Sequence, residues 1–188
     1  MVSALLSRGP LDRAALPRGD DFSLRVAPRA ARFILRGSRD AAARVGKRFG
    51  AAPPLEPRRA NAADAHAALW LGPDEWLLIA EGETPEALGV DLEAALGAGP
   101  HSLVNISQRQ LGLDLQGPNA ARALNAGCPL DLSLAAFPVG EATRTMLSKA
   151  EIVLWRKAPR RFRVEVWRSF AEYAVAFLAE AARRAPPA

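Results

Sequence analysis

Residues 67–80 read Ala67-Ala68-Leu69-Trp70-Leu71, Gly72-Pro73-Asp74-Glu75, Trp76-Leu77-Leu78-Ile79-Ala80: two apolar runs separated by turn formers. Pro-Asp is an ordinary turn dipeptide, and apolar runs on either side of it predict a β-hairpin. Downstream, Thr84 offers a helix cap, Pro85 suits the first helical position, and Leu88, Leu92, Ala95 and Leu96 fall on one face at helical spacing. Upstream lie a Pro-rich loop at 51–57 and a helix that Ser38 can cap, with Asp40 at its positive end and Gly50 as its stop. Before that helix, residues 22–36 hold two short stretches rich in Val, Phe, Ile and Leu around Ala27-Pro28-Arg29-Ala30, read as a strand pair joined by a turn.

The same order recurs. Strands are expected at 102–106 and 111–115, a helix from Pro118, and strands at 143–147 and 151–155. At an offset of 80, Leu35-Arg36-Gly37 lies over Leu115-Gln116-Gly117; at an offset of 76, Glu75 and Leu78 lie over Glu151 and Leu154. The shared element order carries more weight than these sparse identities. A further strand at 162–167 alternates Phe162, Val164 and Val166 with Arg161, Arg163 and Glu165, as a sheet with one wet face would. In the last helix, Ser169 and Glu172 fit a capping box, with Phe170, Ala174, Phe177, Leu178 and Ala181 forming an apolar face. The fold class expected is α+β: a duplicated β-β-α-β-β-α unit of antiparallel sheets backed by helices.

The 188 residues, 49% hydrophobic and 24% charged, suffice for one domain, expected at 22–184 between an N-terminal arm at 1–21 and a tail at 185–188. The arm is expected to rest on a neighbour or to stay mobile, and its apolar patch, Val2 to Leu6, falls far short of a membrane span. One cysteine and two histidines supply neither an internal disulfide nor, unaided, a tetrahedral zinc site. A reducing, cytoplasmic compartment is expected. The net charge of +5 and a pI near 10.3 raise the question of a nucleic-acid partner. Of the 25 cations all but Lys47, Lys149 and Lys157 are Arg, a preference that GC-rich coding explains without a polyanion.

No G-x-S-x-G, G-x-x-x-x-G-K-[ST] or G-x-G-x-x-G motif occurs. Cys128 reads as a buried, inert thiol sooner than an activated one, and His66 and His101 have no adjacent carboxylate or second histidine. Asp74 and Glu75 could serve as acid and base, but a hairpin tip accounts for them already. Arg156, Lys157, Arg160, Arg161 and Arg163, between Trp155 and Trp167, form the dense basic stretch. It could grip phosphate, a polyglutamyl tail or an acidic protein surface, or simply face solvent, and lacks the aromatic signature of an RNA-binding sheet. No catalytic, cofactor-binding or metal-ligating residue is therefore assigned. Trp70, Trp76, Trp155, Arg161 and Arg163 are the candidate interface residues, since Trp and Arg are favoured anchors; core filling is the competing role for the tryptophans.

Six stretches, in order, resemble the sarcosine oxidase gamma subunit family: Leu71-Gly72-Pro73-Asp74-Glu75-Trp76-Leu77-Leu78, Val104-Asn105-Ile106-Ser107-Gln108-Arg109, Gly127-Cys128-Pro129-Leu130-Asp131-Leu132, Phe137-Pro138-x-Gly140, Arg144-Thr145 and Arg168-Ser169-Phe170. The resemblance runs from about residue 22 to 184, and departs at Asn105, where Asp is expected. It implies a fold similar to the folate-binding domain of the glycine-cleavage aminomethyltransferase. It implies further a non-catalytic gamma subunit beside alpha, beta and delta subunits, resting chiefly on alpha. The complex would oxidise sarcosine to glycine and pass the one-carbon unit to tetrahydrofolate, with FAD, FMN, NAD, folate and zinc held by the partners. A free-standing folate-binding or one-carbon module, a subunit acting on another N-methyl amino acid, and a basic RNA-binding module are the alternatives.

Overall fold

The computed structural model describes residues 9–12 and 14–184. A first unit comprises β1 (Ser23–Val26), β2 (Ala30–Gly37), α1 (Arg39–Phe49), β3 (Ala60–Ala63), β4 (His66–Gly72), β5 (Glu75–Glu81) and α2 (Pro85–Leu96). A second comprises β6 (His101–Asn105), β7 (Gln110–Gln116), α3 (Ala120–Asn125), β8 (Ala142–Leu147), β9 (Ala150–Ala158), β10 (Arg161–Trp167) and α4 (Ala171–Arg184). The expected duplication is present; the strand not expected is β3, which gives the first unit the same three strands between its helices that 143–147, 151–155 and 162–167 give the second.

The sheets run β3-β4-β5-β2-β6 and β8-β9-β10-β7-β1, with every pairing antiparallel. Replacing each element by its counterpart in the other unit converts one order into the other. Each sheet takes four strands from one unit and its edge strand from the other, so β1 and β2 are not the strand pair that residues 22–36 suggest. Ala27 N–H still donates to Gly112 O at 2.9 Å, extending the β1–β7 ladder. Pro28, with no N–H to give, follows at once, and the chain enters the other sheet as β2.

The same topology corrects the repeat alignment. The offset of 80 joins β2 to β7, which are counterparts. The offset of 76 joins β5 to β9, which are not: with β3 unread, the hairpin β4–β5 was set against β8–β9 instead of β9–β10. Ile79 opposes Arg32 as Glu165 opposes Gly112, and Leu77 opposes Ile34 as Arg163 opposes Asp114, so the true offset for β5 onto β10 is 86.

Strand alternation sorts side chains into layers. On the first sheet, Phe33, Leu35, Trp76 and Leu78 meet Val45 and Phe49 of α1 and Leu88 and Leu92 of α2. On the second, Leu113, Leu154, Phe162, Val164 and Val166 meet Leu124 of α3 and Ala174 and Leu178 of α4. The remaining faces lie against each other through Leu69, Leu77, Ile79, Val153 and Trp155, giving an α-β-β-α stack. The face of β10 expected to be wet is therefore an interior one: Arg163 and Glu165 are buried, and only Arg161 of that trio reaches solvent.

Ser38 caps α1 as expected, its Oγ accepting from Ala41 N at 3.2 Å, and Gly50 ends the helix at φ 80°. At the last helix a 3-10 turn, Arg168–Phe170, intervenes, so α4 begins at Ala171. Its tighter winding shifts the phase of the preceding side chains, and Phe170, expected on the apolar face, is 40% exposed. Leu11 and Leu16 of the expected arm rest on the core of the second sheet, and Pro17 O and Asp21 O accept from Leu24 and Asn119 N–H groups at 3.0 Å. The described part of the arm thus lies on its own domain; residues 1–8 and 13, and the tail at 185–188, lie outside the described residues.

That docking explains one glycine. Gly117 has φ 127°, and a Cβ there would stand 2.3 Å from Asp21 O. Gly117→Ala should cost about 2–3 kcal/mol in urea denaturation, by strain and forced displacement. Gly82→Ala, at φ 80° with nothing within 4 Å, should cost only the left-handed penalty of about 1 kcal/mol. Equal losses would show that the close approach at Gly117 is immaterial.

Candidate functional site

Charged side chains on interior strand faces must find partners, because an isolated ion is expelled from a medium of low polarity. Here they find each other. Arg32 of β2 donates through Nε to Glu165 Oε2 at 2.6 Å, and Arg163 through Nε to Oε1 of the same carboxylate at 2.8 Å. Arg163 Nη1 reaches Glu81 Oε1 of β5 at 2.9 Å and stands 3.6 Å from Asp114 Oδ1 of β7. The guanidinium lies across Gly112, where a Cβ would be 2.4 Å from Nε. The cluster therefore ties both sheets together through β2, β5, β7 and β10. Burial opposes charge on Glu165, but Arg32 and Arg163 outweigh it and hold the carboxyl below its ordinary range.

The candidate interface residues divide accordingly. Trp76 is fully enclosed against α1 and α2, its Nε1–H donating to Pro54 O at 2.7 Å, and Arg163 is committed to the buried cluster; neither has surface to give a partner. Trp155 is buried between the sheets, with Lys157 Nζ 5.1 Å from its ring centroid. Trp70 is half-buried at the edge of the first core, and Arg161 is exposed. Of the basic stretch, Arg156 is also interior, stacked 4.4 Å over Phe162 and donating to Pro159 O at 2.8 Å and to Leu132 O.

The surface that sequence reading missed is a ridge of Trp167, Phe170 and Tyr173, 38%, 40% and 36% exposed. Arg109 stacks 4.9 Å over Trp167, and Tyr173 Oη donates to Ser148 Oγ at 2.9 Å. Spacing of three across a strand end, a 3-10 turn and a helix start fits no single periodicity, which hid it. Large apolar groups left exposed over one short stretch of chain are a common mark of a protein contact.

The groups considered for chemistry stand apart. Cys128 is buried, 3.8 Å from Thr145 Oγ1. Asp74 pairs with Arg36 at 3.3 Å, and Glu75 with Arg144 at 2.8 Å. Both histidines have carboxylates that lie distant in sequence: His66 meets Glu83 at 2.6 Å and stacks on Phe49, and His101 meets Glu93 at 2.9 Å. Among the described residues no group of three or more His, Cys, Asp or Glu is arranged to hold a metal, and no helix is long and apolar enough to cross a membrane. Asn105, the departure from the family pattern, accepts through Oδ1 from Ser107 N at 3.0 Å and Ser107 Oγ at 2.7 Å. Ser107 Oγ in turn accepts from Arg32 N at 2.9 Å, so an amide oxygen serves this turn where a carboxylate is expected.

Glu165→Ala would strand two buried guanidiniums and should cost about 3–5 kcal/mol in urea at neutral pH. Because the folded pKa of Glu165 is depressed, its contribution is complete above the unfolded value of about 4.3 and lost as pH falls through the folded value. The stability gap between wild type and Glu165→Gln should therefore narrow below about pH 4; a gap constant down to pH 2 would contradict the pairing. His101 is shifted the other way, upward, by its hydrogen bonds to Glu93 and then to Gly99 O. Its contribution is complete below about pH 6.5 and lost as pH rises through the raised value, so His101→Gln should flatten that part of the stability profile.

A family model described as the sarcosine oxidase gamma subunit family matches residues 40–184. Sarcosine oxidase subunit gamma of Corynebacterium sp. (strain U-96) is 41% identical over 115 residues, 61% of this chain and 55% of that protein. The subunit of Arthrobacter sp. is 40% identical over 124 residues, 65% and 59% of the respective chains. The chain thus spans little more than half the length of these curated relatives. A chain of heterotetrameric sarcosine oxidase from Corynebacterium sp. U-96, in complex with pyrrole 2-carboxylate, superposes with a TM-score of 0.85 at 33% identity, covering 97% of this chain and 100% of that one. Aminomethyltransferase T of the glycine cleavage system from Bartonella henselae shares the fold, with a TM-score of 0.63 at 15% identity over 87% of this chain and 49% of that one. With a family match across three-quarters of its length and a duplicated α-β-β-α stack that superposes on a chain of that complex, the chain belongs to the sarcosine oxidase gamma subunit family.

Proposed function

We propose that the chain is a non-catalytic structural subunit of a cytoplasmic, heterotetrameric sarcosine oxidase-like complex. The observation that carries this is the superposition over 97% of the chain on a chain of such a complex. The disposition of its polar groups supports the same role. Its strongest charge cluster is spent on joining the two sheets, and its cysteine and histidines are dispersed. In this proposal the alpha, beta and delta subunits are the partners, alpha chiefly. They hold FAD, FMN, NAD, tetrahydrofolate and zinc, and the complex oxidises sarcosine to glycine with transfer of the one-carbon unit to tetrahydrofolate. Nucleic acid and membrane take no part. Trp70, Arg161 and the Trp167–Phe170–Tyr173 ridge are the contacts offered to partners.

Co-expression of the tagged chain with the neighbouring reading frames, then affinity purification, an absorption spectrum and an oxidase assay, tests the proposal. The expected product is a yellow complex that consumes oxygen with sarcosine; activity on another N-methyl amino acid would revise the substrate alone. A colourless chain eluting by itself would overturn the assignment, and tetrahydrofolate titration would then test a free-standing folate module. Phe170→Asp and Tyr173→Asp should deplete the partners by at least about tenfold, the effect of losing a contact anchor, while leaving the fold intact by circular dichroism.

A further inference from the structure

At the β1 edge of the second sheet is a cavity of about 110 Å³, lined by Ser23 and Arg25 of β1, Asp114 and Gln116 of β7, Lys157 of β9 and Arg161 of β10. Strand register builds it. Arg25 and Arg163 oppose Asp114 from the two sides, and in the next row Ser23 and Arg161 oppose Gln116. The pairing of β9 with β10 slips between Arg161 and Phe162, leaving Lys157 outside the ladder, and such bulges re-aim side chains. Three strands thus contribute one cation each to one cavity.

Elsewhere some surface arginines, Arg36, Arg48, Arg58 and Arg144 among them, each hold a carboxylate. Among the described residues Arg25, Lys157 and Arg161 hold none, although like charges brought together repel. Asp114 is the carboxylate among the lining residues, and it lies 3.6 Å from buried Arg163, while its Oδ1, itself buried, has no hydrogen-bond partner. Two guanidiniums, an ammonium, a hydroxyl and an amide around a small space are the donor set of an anion site, guanidinium matching carboxylate and phosphate oxygens most closely. A cavity of about 110 Å³ leaves room for one such group.

We propose that this cavity binds a single oxyanion, a phosphate or carboxylate group. The proposal stands apart from the subunit assignment. Calorimetric titration of the full chain with inorganic phosphate at low ionic strength should give saturable one-to-one binding that weakens as salt is added. Arg161→Glu and Lys157→Glu, both at exposed positions, should each reduce affinity by at least about tenfold, the usual weight of a charge-assisted hydrogen bond. Lys149→Glu, at the β8–β9 turn, should leave it unchanged. Absence of saturable binding, or an equal loss in Lys149→Glu, would overturn the site. Repeating the titration on the co-purified complex identifies the source of the anion. Binding retained there means a diffusible ligand, and binding seen only in the free chain means that a partner's carboxylate fills the cavity.

Discussion

The Glu165 carboxylate, closed between two sheets with a guanidinium on either side, fixes how the halves of the molecule sit on one another. Moving these ions out of water costs several kcal/mol each, and their attraction roughly offsets that only while every member is present. The cluster is therefore poor as a source of stability and effective as a selector of register. Leu69, Leu77, Ile79 and Val153 would tolerate a slide of one sheet across the other; Arg32, Arg163, Glu81 and Glu165 would not. Gly112 belongs to the same device, since only an absent side chain leaves room for the Arg163 guanidinium.

The two units meet this requirement unequally. Where the second has Arg163 and Glu165, the first has Leu77 and Ile79; where the first has Arg32, the second has Gly112. The interior charges thus arise from divergence between repeats, and they pair across the repeat boundary. The loop between α3 and β8 diverges as well. It buries Phe137, accepts from Arg156 at Leu132 O, and places Glu141 against Arg58 of the first unit.

Element type and order were legible because the hairpin at 67–80, the Ser38 and Gly50 caps and the alternation of 162–167 each depend on a few neighbouring residues. Partnership between strands was not. Whether β1 pairs with β2 or with β7 depends on contacts far along the chain, and β3, Ala60-Asn61-Ala62-Ala63, is too plain in composition to announce itself. Alternation on β10 showed that its two faces differ but could not say whether water or a second sheet covered the charged one, which is why Arg163 read as a surface anchor. Aligning the strand with its apolar counterpart in the first unit would have disclosed this, and the 76-residue offset prevented it. The cationic cavity escaped for a related reason: Arg25 lies far from Lys157 and Arg161 in sequence, and a bulge completes the grouping.

The exchange of edge strands bears on how such a chain reaches its native state. Ser23 waits for Gln116, and Phe33 for Asn105, so neither sheet has its full complement until most of the polypeptide exists. Pairings this remote carry a high entropic barrier and make for slow folding, with open sheet edges exposed meanwhile. A lone unit would keep one vacant edge and one strand without a sheet, the geometry by which two identical chains interlock by swapping an arm. Seen that way, the monomer carries within one polypeptide the topology of an intertwined dimer, and cutting it between α2 and β6 would yield two fragments that are each other's natural complement.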